Sequence, residues 1–223
     1  MYAGQKMYDN DGNQVCLFPL PELIVNQWSG PNTYSHCCGH PADYDTHGQV
    51  RPVYAPFDCH MVYYTGTTAH TVFYCSDTKV RTPSGLQWVT IQLTHAQNPP
   101  LQQTAKQGDV IYYSGDAGGY SLGVHLHLDQ CFDKDARWVS YGVVCTGAQN
   151  SCWALPDSQY PNDVFYVNDT TLTDTGGHTW LTYDGPGPEP PTPPDPPVPP
   201  APVSGGNFKW WMSRLLLYRR NNM

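Results

Sequence analysis

The sequence predicts an all-β fold that is built mainly of antiparallel strands and contains little helix. Tyr, Trp, Val and Thr, which favour strands, are plentiful, whereas Lys and Glu are scarce. Gly and Pro supply 20 and 22 of the 223 residues. Clusters of Gly, Ser, Asp and Asn separate the apolar segments, which is typical of short turns between antiparallel neighbours.

The predicted strands occupy the central part of the chain. The clearest lies within Trp88–Leu93, where apolar and polar residues nearly alternate, as they do in a strand with one buried face. The full set of predicted strands is Pro52–Tyr64, Thr71–Cys75, Leu86–Leu93, Asp109–Tyr113, Val124–Gln130 and Trp138–Val144.

A change in composition after Asp184 predicts the end of the folded domain. Of the 17 residues from Pro186 to Pro202, 11 are Pro, which is typical of an extended, semi-rigid polyproline spacer. We therefore predict a domain over residues 1–184, a disordered Pro-rich linker over 185–206 and a short cationic, aromatic tail over 207–223.

The charge distribution argues against nucleic acid as a partner. The chain has a formal net charge of −8, and residues 1–184 hold 7 basic and 17 acidic residues. Duplex affinity comes largely from basic groups that neutralise phosphates, and in this domain acidic residues far outnumber basic ones. The tail is cationic, so it either contacts an anionic envelope or is an end without a partner.

The first residues and the cysteines bear on where the protein acts. Met1–Lys6 has one Lys and no apolar core, so we expect no signal peptide. No apolar run reaches the 18 residues of a membrane span.

Disulfides, buried free thiols, and metal or reactive roles are all open for the eight cysteines, which are Cys16, Cys37, Cys38, Cys59, Cys75, Cys131, Cys145 and Cys152.

Two histidines separated by one residue form the first candidate site. In a strand, residues two apart project from the same face, so His125 and His127 would stand side by side while Leu126 points into the core. Two such imidazoles can share a metal, or one can bind metal while the other transfers protons. The pair alone is a weak indication of either.

A second group of metal-binding residue types lies in Ser35–Asp45, on a predicted loop before the strand that begins at Pro52. One His and one Asp from this loop, with one His of the pair, would give three nitrogen and oxygen ligands. A fourth tetrahedral position would remain for water, as in catalytic zinc sites. His95, at the end of the Trp88–Leu93 strand, is by itself a polar residue that closes a strand.

Glutamate is nearly absent, which excludes several zinc enzymes. Glu22 and Glu189 are the two glutamates of the chain, and neither belongs to an H-E-x-x-H or H-x-E sequence. If a metal activates water here, imidazole is the expected proton carrier.

These elements, in this order, resemble the LytM/lysostaphin-type zinc metallopeptidases, including phage-borne members. The similarity is to S-H-…-A-x-D followed by V-Y-A-P-F-D within Ser35–Asp58, to the strand that ends at His95, and to the G-D, glycine-rich and H-x-H segments from Gly108 to His127. It covers about residues 34–129. The resemblance implies an antiparallel fold with a narrow groove.

The resemblance also implies residue roles. It makes His36, Asp43 and His127 the Zn²⁺ ligands, and His95 and His125 the catalytic pair. Many members space the first His and the Asp more closely, so His40, Asp45 and His47 are rival ligands. Cys37 and Cys38 are either structural or able to occupy the open metal position and silence the site.

The expected function is that of a zinc metalloendopeptidase that hydrolyses peptide bonds in bacterial peptidoglycan. A phage endolysin, released from the host cytoplasm to the cell wall, or a virion-associated lysin would fit, and we expect a monomer. Two alternatives stay open: a catalytically silent structural or wall-binding module of the same fold, and a zinc amidase that cuts the sugar–peptide link.

Overall fold

The computed structural model describes residues 1–28, 36, 42–118, 121–137 and 161–185, and it confirms the all-β prediction. Within these ranges the only helix has 4 residues, and no helix is long and apolar enough to cross a membrane. The elements are β1 Glu22–Gln27, β2 Ala42–Asp45, β3 Pro52–Tyr54, β4 Cys59–Tyr64, β5 Val72–Ser76, β6 Val80–Thr82, β7 Gly85–Gln87, β8 Thr90–Thr94, β9 Thr104–Ala105, β10 Val110–Tyr113, β11 His125–Cys131, α1 Pro161–Val164 and β12 Thr171–Asp174.

Eight of these strands form one sheet, in the order β12-β1-β2-β11-β8-β5-β4-β9. All its pairs are antiparallel except β1 with β12, which run parallel at one edge. Two small antiparallel sheets, β3 with β10 and β6 with β7, are formed by strands that lie between those of the large sheet in the chain. The prediction of mainly antiparallel pairing is therefore confirmed.

The core packs against one face of the central strands. Tyr44 of β2, Leu126 and Leu128 of β11, and Leu93 of β8 are all fully buried in one apolar cluster. The Phe18 ring packs edge-on against Tyr44, with centroids 4.9 Å apart. Because side chains alternate along a strand, the residues between these apolar ones project from the other face of the sheet.

Two of the predicted strands are divided in the structure. Pro52–Tyr64 becomes β3 and β4, because the chain bends at 56–58 and Asp58 accepts hydrogen bonds from the Gln107 backbone and the Lys106 side chain. Leu86–Leu93 becomes β7 and β8, which belong to different sheets. The strand predicted at Trp138–Val144 lies outside the described residues.

Apart from Gly185, the linker and tail also lie outside the described residues, so the boundary after Asp184 stays a prediction. Of the eight cysteines, the four that the structure describes are buried and free: Cys16, Cys59, Cys75 and Cys131. The other four, among them Cys37 and Cys38, fall in the ranges that are not described.

A close backbone contact at Gly115 yields a prediction about stability. A Cβ at this position would lie 2.2 Å from the carbonyl oxygen of His95, so the backbone must shift to admit it. We expect Gly115→Ala to destabilise the domain by about 1–3 kcal/mol, the usual cost of overpacking, measured by denaturant unfolding. Leu122→Ala, at a side chain that is 97% exposed, is the control and should stay within about 0.5 kcal/mol. Equal stability of the two variants would contradict the contact.

Candidate metal centre

Strand register places Asp43 and His127 directly opposite each other. Asp43 lies on β2, between Gln27 of β1 and His127 of β11. Directly paired residues of neighbouring strands share a face, so the carboxylate and the imidazole meet. We expected Asp43 on a loop, and this was wrong: pairing on both sides holds β2 extended, although Ala42–Asp45 has little strand pattern of its own.

The side chain of His36 completes a group of three donors. Its Nε2 lies 3.4 Å from Asp43 Oδ1, and His127 Nδ1 lies 3.1 Å from the same oxygen. One ligand atom from each residue can be chosen so that all lie within 4.8 Å of one another. In a tetrahedral site with bonds of about 2.0–2.1 Å, neighbouring ligand atoms are about 3.3 Å apart, so this group can hold a metal ion.

The electrostatics of the group favour cation binding. Burial alone would raise the pKa of Asp43, but hydrogen bonds from His125, His127 and His36 outweigh it and hold the pKa well below the ordinary value. Burial lowers the pKa of His36, and the contact with Asp43 offsets this only in part. An ionised carboxylate and a neutral imidazole are the forms that bind metals.

His125 stands beside this group on the same strand. Its Nδ1 lies 2.7 Å from the carbonyl oxygen of Gly123, and its Nε2 lies 3.4 Å from Asp43 Oδ1. A carbonyl can only accept a hydrogen bond, so Nδ1 carries a proton; Nε2 donates to Asp43 when the ring is charged and holds the lone pair when the ring is neutral. Burial disfavours the charged ring, but the contacts with Asp43 outweigh this and raise the pKa of His125.

His95 reaches the same place from the end of β8. Its ring centroid lies 4.7 Å from that of His125 and 5.6 Å from that of His127. Its Nδ1 lies 2.8 Å from the Ala117 carbonyl oxygen, and Ala117 N donates to His95 O at 2.8 Å. Burial, and then repulsion from His127 and His125, lowers the pKa of His95 to about 4.

The backbone at His95 is unusual. Its φ is 85°, in the left-handed region that non-glycine residues seldom adopt, and such residues cluster at functional sites. The backbone N–H of His95 donates to Ala69 O at 2.8 Å, which helps to hold this conformation. The carbonyls of Ala117 and Gly123 orient the two rings. Their role could not be predicted from the sequence, which shows only that their loop is rich in glycine.

We name His36, Asp43, His95, His125 and His127 together the His/Asp cluster. The structure thus brings all five predicted site residues together. Two of the rival ligands are engaged elsewhere: Asp45 Oδ1 accepts a hydrogen bond from His47 N, and the exposed His47 ring lies 2.9 Å from Glu22 Oε2. His40 lies outside the described residues, as do Cys37 and Cys38.

No protein-family model and no curated protein sequence matches this chain. Solved structures resemble it at low identity. The catalytic domain of lysostaphin, an antimicrobial peptidase from Staphylococcus simulans, is 16% identical with a TM-score of 0.39, over 53% of this chain and 84% of its own. Lysostaphin itself is 15% identical with a TM-score of 0.38, over 54% of this chain and 49% of its own. A zinc-containing peptidase from Vibrio cholerae is 16% identical with a TM-score of 0.37, and the match covers 55% of this chain and 39% of the peptidase.

Proposed function

We propose that this protein is a zinc metalloendopeptidase that hydrolyses peptide bonds in bacterial peptidoglycan. The observation that carries the proposal is the donor set of His36, Asp43 and His127. The His127 Nδ1 and His36 Nε2 atoms lie 3.1 and 3.4 Å from the same carboxylate oxygen of Asp43. Two further buried imidazoles stand beside it. The substrate class rests on the sequence resemblance to LytM/lysostaphin-type peptidases.

The donor set suits Zn²⁺. Two imidazole nitrogens and one carboxylate oxygen are the ligand types of catalytic zinc sites, in which three protein ligands leave one position open. When bound, zinc would supply Lewis-acid polarisation of the substrate carbonyl and a water of lowered pKa. His36 and Asp43 are buried, and the lowered pKa of each favours the neutral imidazole and the ionised carboxylate that such an ion requires.

His125 and His95 can carry the protons of the reaction. The carbonyls of Gly123 and Ala117 fix the Nδ1 proton on each ring, so each neutral ring presents the lone pair of Nε2 as a base. Peptide hydrolysis needs one proton to be taken from water and one to be given to the leaving amine. Two adjacent imidazoles in a buried site can divide these tasks, and once protonated they also stabilise a developing oxyanion.

Delivery to the wall is a further part of the proposal. A phage-borne endolysin, passing from the host cytoplasm to the wall, or a virion-associated lysin fits the resemblance. The partner is then bacterial peptidoglycan, with no nucleic-acid contact, and the enzyme works as a monomer. The acidic domain needs no basic surface for this substrate, whose peptide lies across the groove that the resemblance implies.

A cell-wall zymogram tests the activity. Purified protein should clear wall embedded in a gel, lose this activity after treatment with a chelator and recover it when Zn²⁺ is restored. Mass analysis of the digest should show cut peptides still attached to sugar chains. Release of peptide-free sugar chains would favour the amidase instead, and fully zinc-loaded protein that cuts no wall would favour the silent module.

The tail gives a separate prediction, because it joins four basic residues to an apolar set of Trp and Leu side chains. Such a segment suits an interfacial helix or a small patch for binding an anionic envelope. Truncation after Val203 should leave cleavage of a short soluble peptide unchanged. The same truncation should weaken binding to intact cells, most strongly at low salt, where the tail's charges are least screened. Equal binding by the full-length and trimmed proteins at low salt would remove any targeting role.

A further inference from the structure

A second group of metal-binding side chains lies on β4 and β5, apart from the His/Asp cluster. His60 of β4 pairs directly with Cys75 of β5, and Asp135 follows the end of β11. One ligand atom from each of the three residues can be chosen so that all lie within 4.8 Å of one another. We name these three residues the His60 cluster.

We propose that the His60 cluster is a second divalent-metal site, selective for zinc-like ions, in which His60 Nε2, Cys75 Sγ and an Asp135 carboxylate oxygen are the ligands. The proposal concerns different residues from those of the proposed function and does not depend on it.

The donor chemistry points to a borderline-soft ion. A thiolate, an imidazole and a carboxylate together suit Zn²⁺ and Co²⁺, whereas Mg²⁺ and Ca²⁺ take oxygen ligands alone. Cys75 is fully buried, and Asp135 and His60 form the partly exposed side of the group. An ion would therefore enter from solvent and meet the sulfur last.

Asp77 provides the outer support that metal-binding histidines require. Its Oδ1 lies 2.8 Å from His60 Nδ1, on the side of the ring away from the proposed ligand atom. A carboxylate in this position fixes the Nδ1 proton and directs the lone pair of Nε2 to the ion. Asp77 is thus a positioning residue, not a ligand.

The contacts of His60 show which protons an ion would displace. His60 Nε2 lies 2.7 Å from Asp135 Oδ1 and Nδ1 lies 2.8 Å from Asp77 Oδ1, so both ring nitrogens face carboxylates, which favours a proton on each. An arriving cation takes the place of the Nε2 proton and of the Cys75 thiol proton, and two protons pass to solvent. The backbone N–H of Asp135 points at Cys75 Sγ over 3.3 Å, an arrangement that stabilises the thiolate so formed.

The strand register separates this site from the His/Asp cluster. Cys75 is aligned with Thr90, and Thr90 with Cys131, which lies four positions beyond His127 on β11. Four residues of extended strand span about 13 Å, so the two sites do not share ligands. Each should load and unload independently.

Cobalt substitution tests the proposal, because a thiolate bound to Co²⁺ gives a near-ultraviolet charge-transfer band that nitrogen and oxygen ligands do not give. The host protein is the full chain with Cys37→Ser and Cys38→Ser, which removes the two thiols beside His36. We expect two Co²⁺ per chain by elemental analysis, with the band present. Cys75→Ser should bind one Co²⁺ and lose the band, whereas His127→Ala should also bind one and keep it.

Further variants separate metal binding from folding. Cys59→Ser alters a buried thiol next to His60 but outside the cluster, and should keep both ions and the band. Asp77→Asn should keep the band but weaken binding at this site about 10–100-fold, as loss of an outer partner does. Asp135→Asn, at an exposed side chain, should weaken it with unchanged thermal stability. A host protein that lacks the band, or a band that survives Cys75→Ser, would overturn the proposal, whereas a single Co²⁺ with the band present would count against the His/Asp cluster instead.

Discussion

Asp43→Ala and His127→Ala should each leave the protein without zinc at the His/Asp cluster and without wall-cleaving activity. Each variant removes one of three donors, and the remaining two cannot hold zinc against competing chelators. For Asp43 the loss is compounded, because its oxygen lies 3.1–3.4 Å from nitrogens of His36, His125 and His127 and supplies the negative charge of the group. Metal content by elemental analysis after dialysis against a mild chelator is the measurement.

Three controls accompany this prediction. His47→Ala removes an exposed histidine whose ring contacts Glu22, and it should keep both zinc and activity. His36→Ala and His40→Ala, run side by side, decide between the two candidates for the first ligand, and we expect zinc loss in the His36 variant alone. Because Cys75 belongs to the proposed second metal site, the assay is best run in a Cys75→Ser background. Full zinc occupancy in Asp43→Ala there would show that the ligand assignment is wrong.

Replacing His125 or His95 should also reduce the rate of cleavage, but these variants should retain zinc. Neither residue belongs to the three-donor group, so each Ala variant should bind one zinc at the His/Asp cluster. The rate should fall by about 10²-fold or more, the usual scale for a group that transfers protons or stabilises an oxyanion. Single-turnover cleavage of a short wall peptide measures this without interference from wall binding.

His95→Asn sharpens the test. An Asn amide can still donate to Ala117 O, and Asn tolerates the positive φ of 85° that His95 adopts, but it cannot carry a proton at neutral pH. We expect this variant to be as stable as the wild type and as slow as His95→Ala. Near-normal activity would return His95 to the role of a polar residue that closes a strand.

The sequence allowed much of the central sheet to be predicted, because its signal there is local. The alternation around His125–Leu128 predicts one apolar face and one face that carries the imidazoles, and β11 has this arrangement, although both of its faces are buried. Thr90–Thr94 was predicted for the same reason. The strands β1 and β2 were not predicted, since Ala42–Asp45 is extended through pairing with partners that are distant in the chain.

The residues of the His/Asp cluster could be predicted from the sequence, but their geometry could not. The spacing of His36, Asp43 and the later histidines, read through a resemblance, brought the five residues together. The left-handed backbone of His95 and the Ala117 carbonyl that orients its ring depend on a tertiary contact with the 114–118 turn. The His60 cluster was not anticipated either, because its members come from β4, from β5 and from the segment after β11, and they form no local motif.

The parallel pairing of β1 with β12 determines the smallest piece of this chain that could be transplanted as an independent unit. The motif-bearing stretch, about residues 34–129, lacks both strands, although β1 lies alongside the strand that carries Asp43. A fragment cut to the motifs would turn β2 into an open edge, ready to pair with the same edge of another molecule. A chimaera made from this chain should therefore keep everything from residue 1 through residue 185.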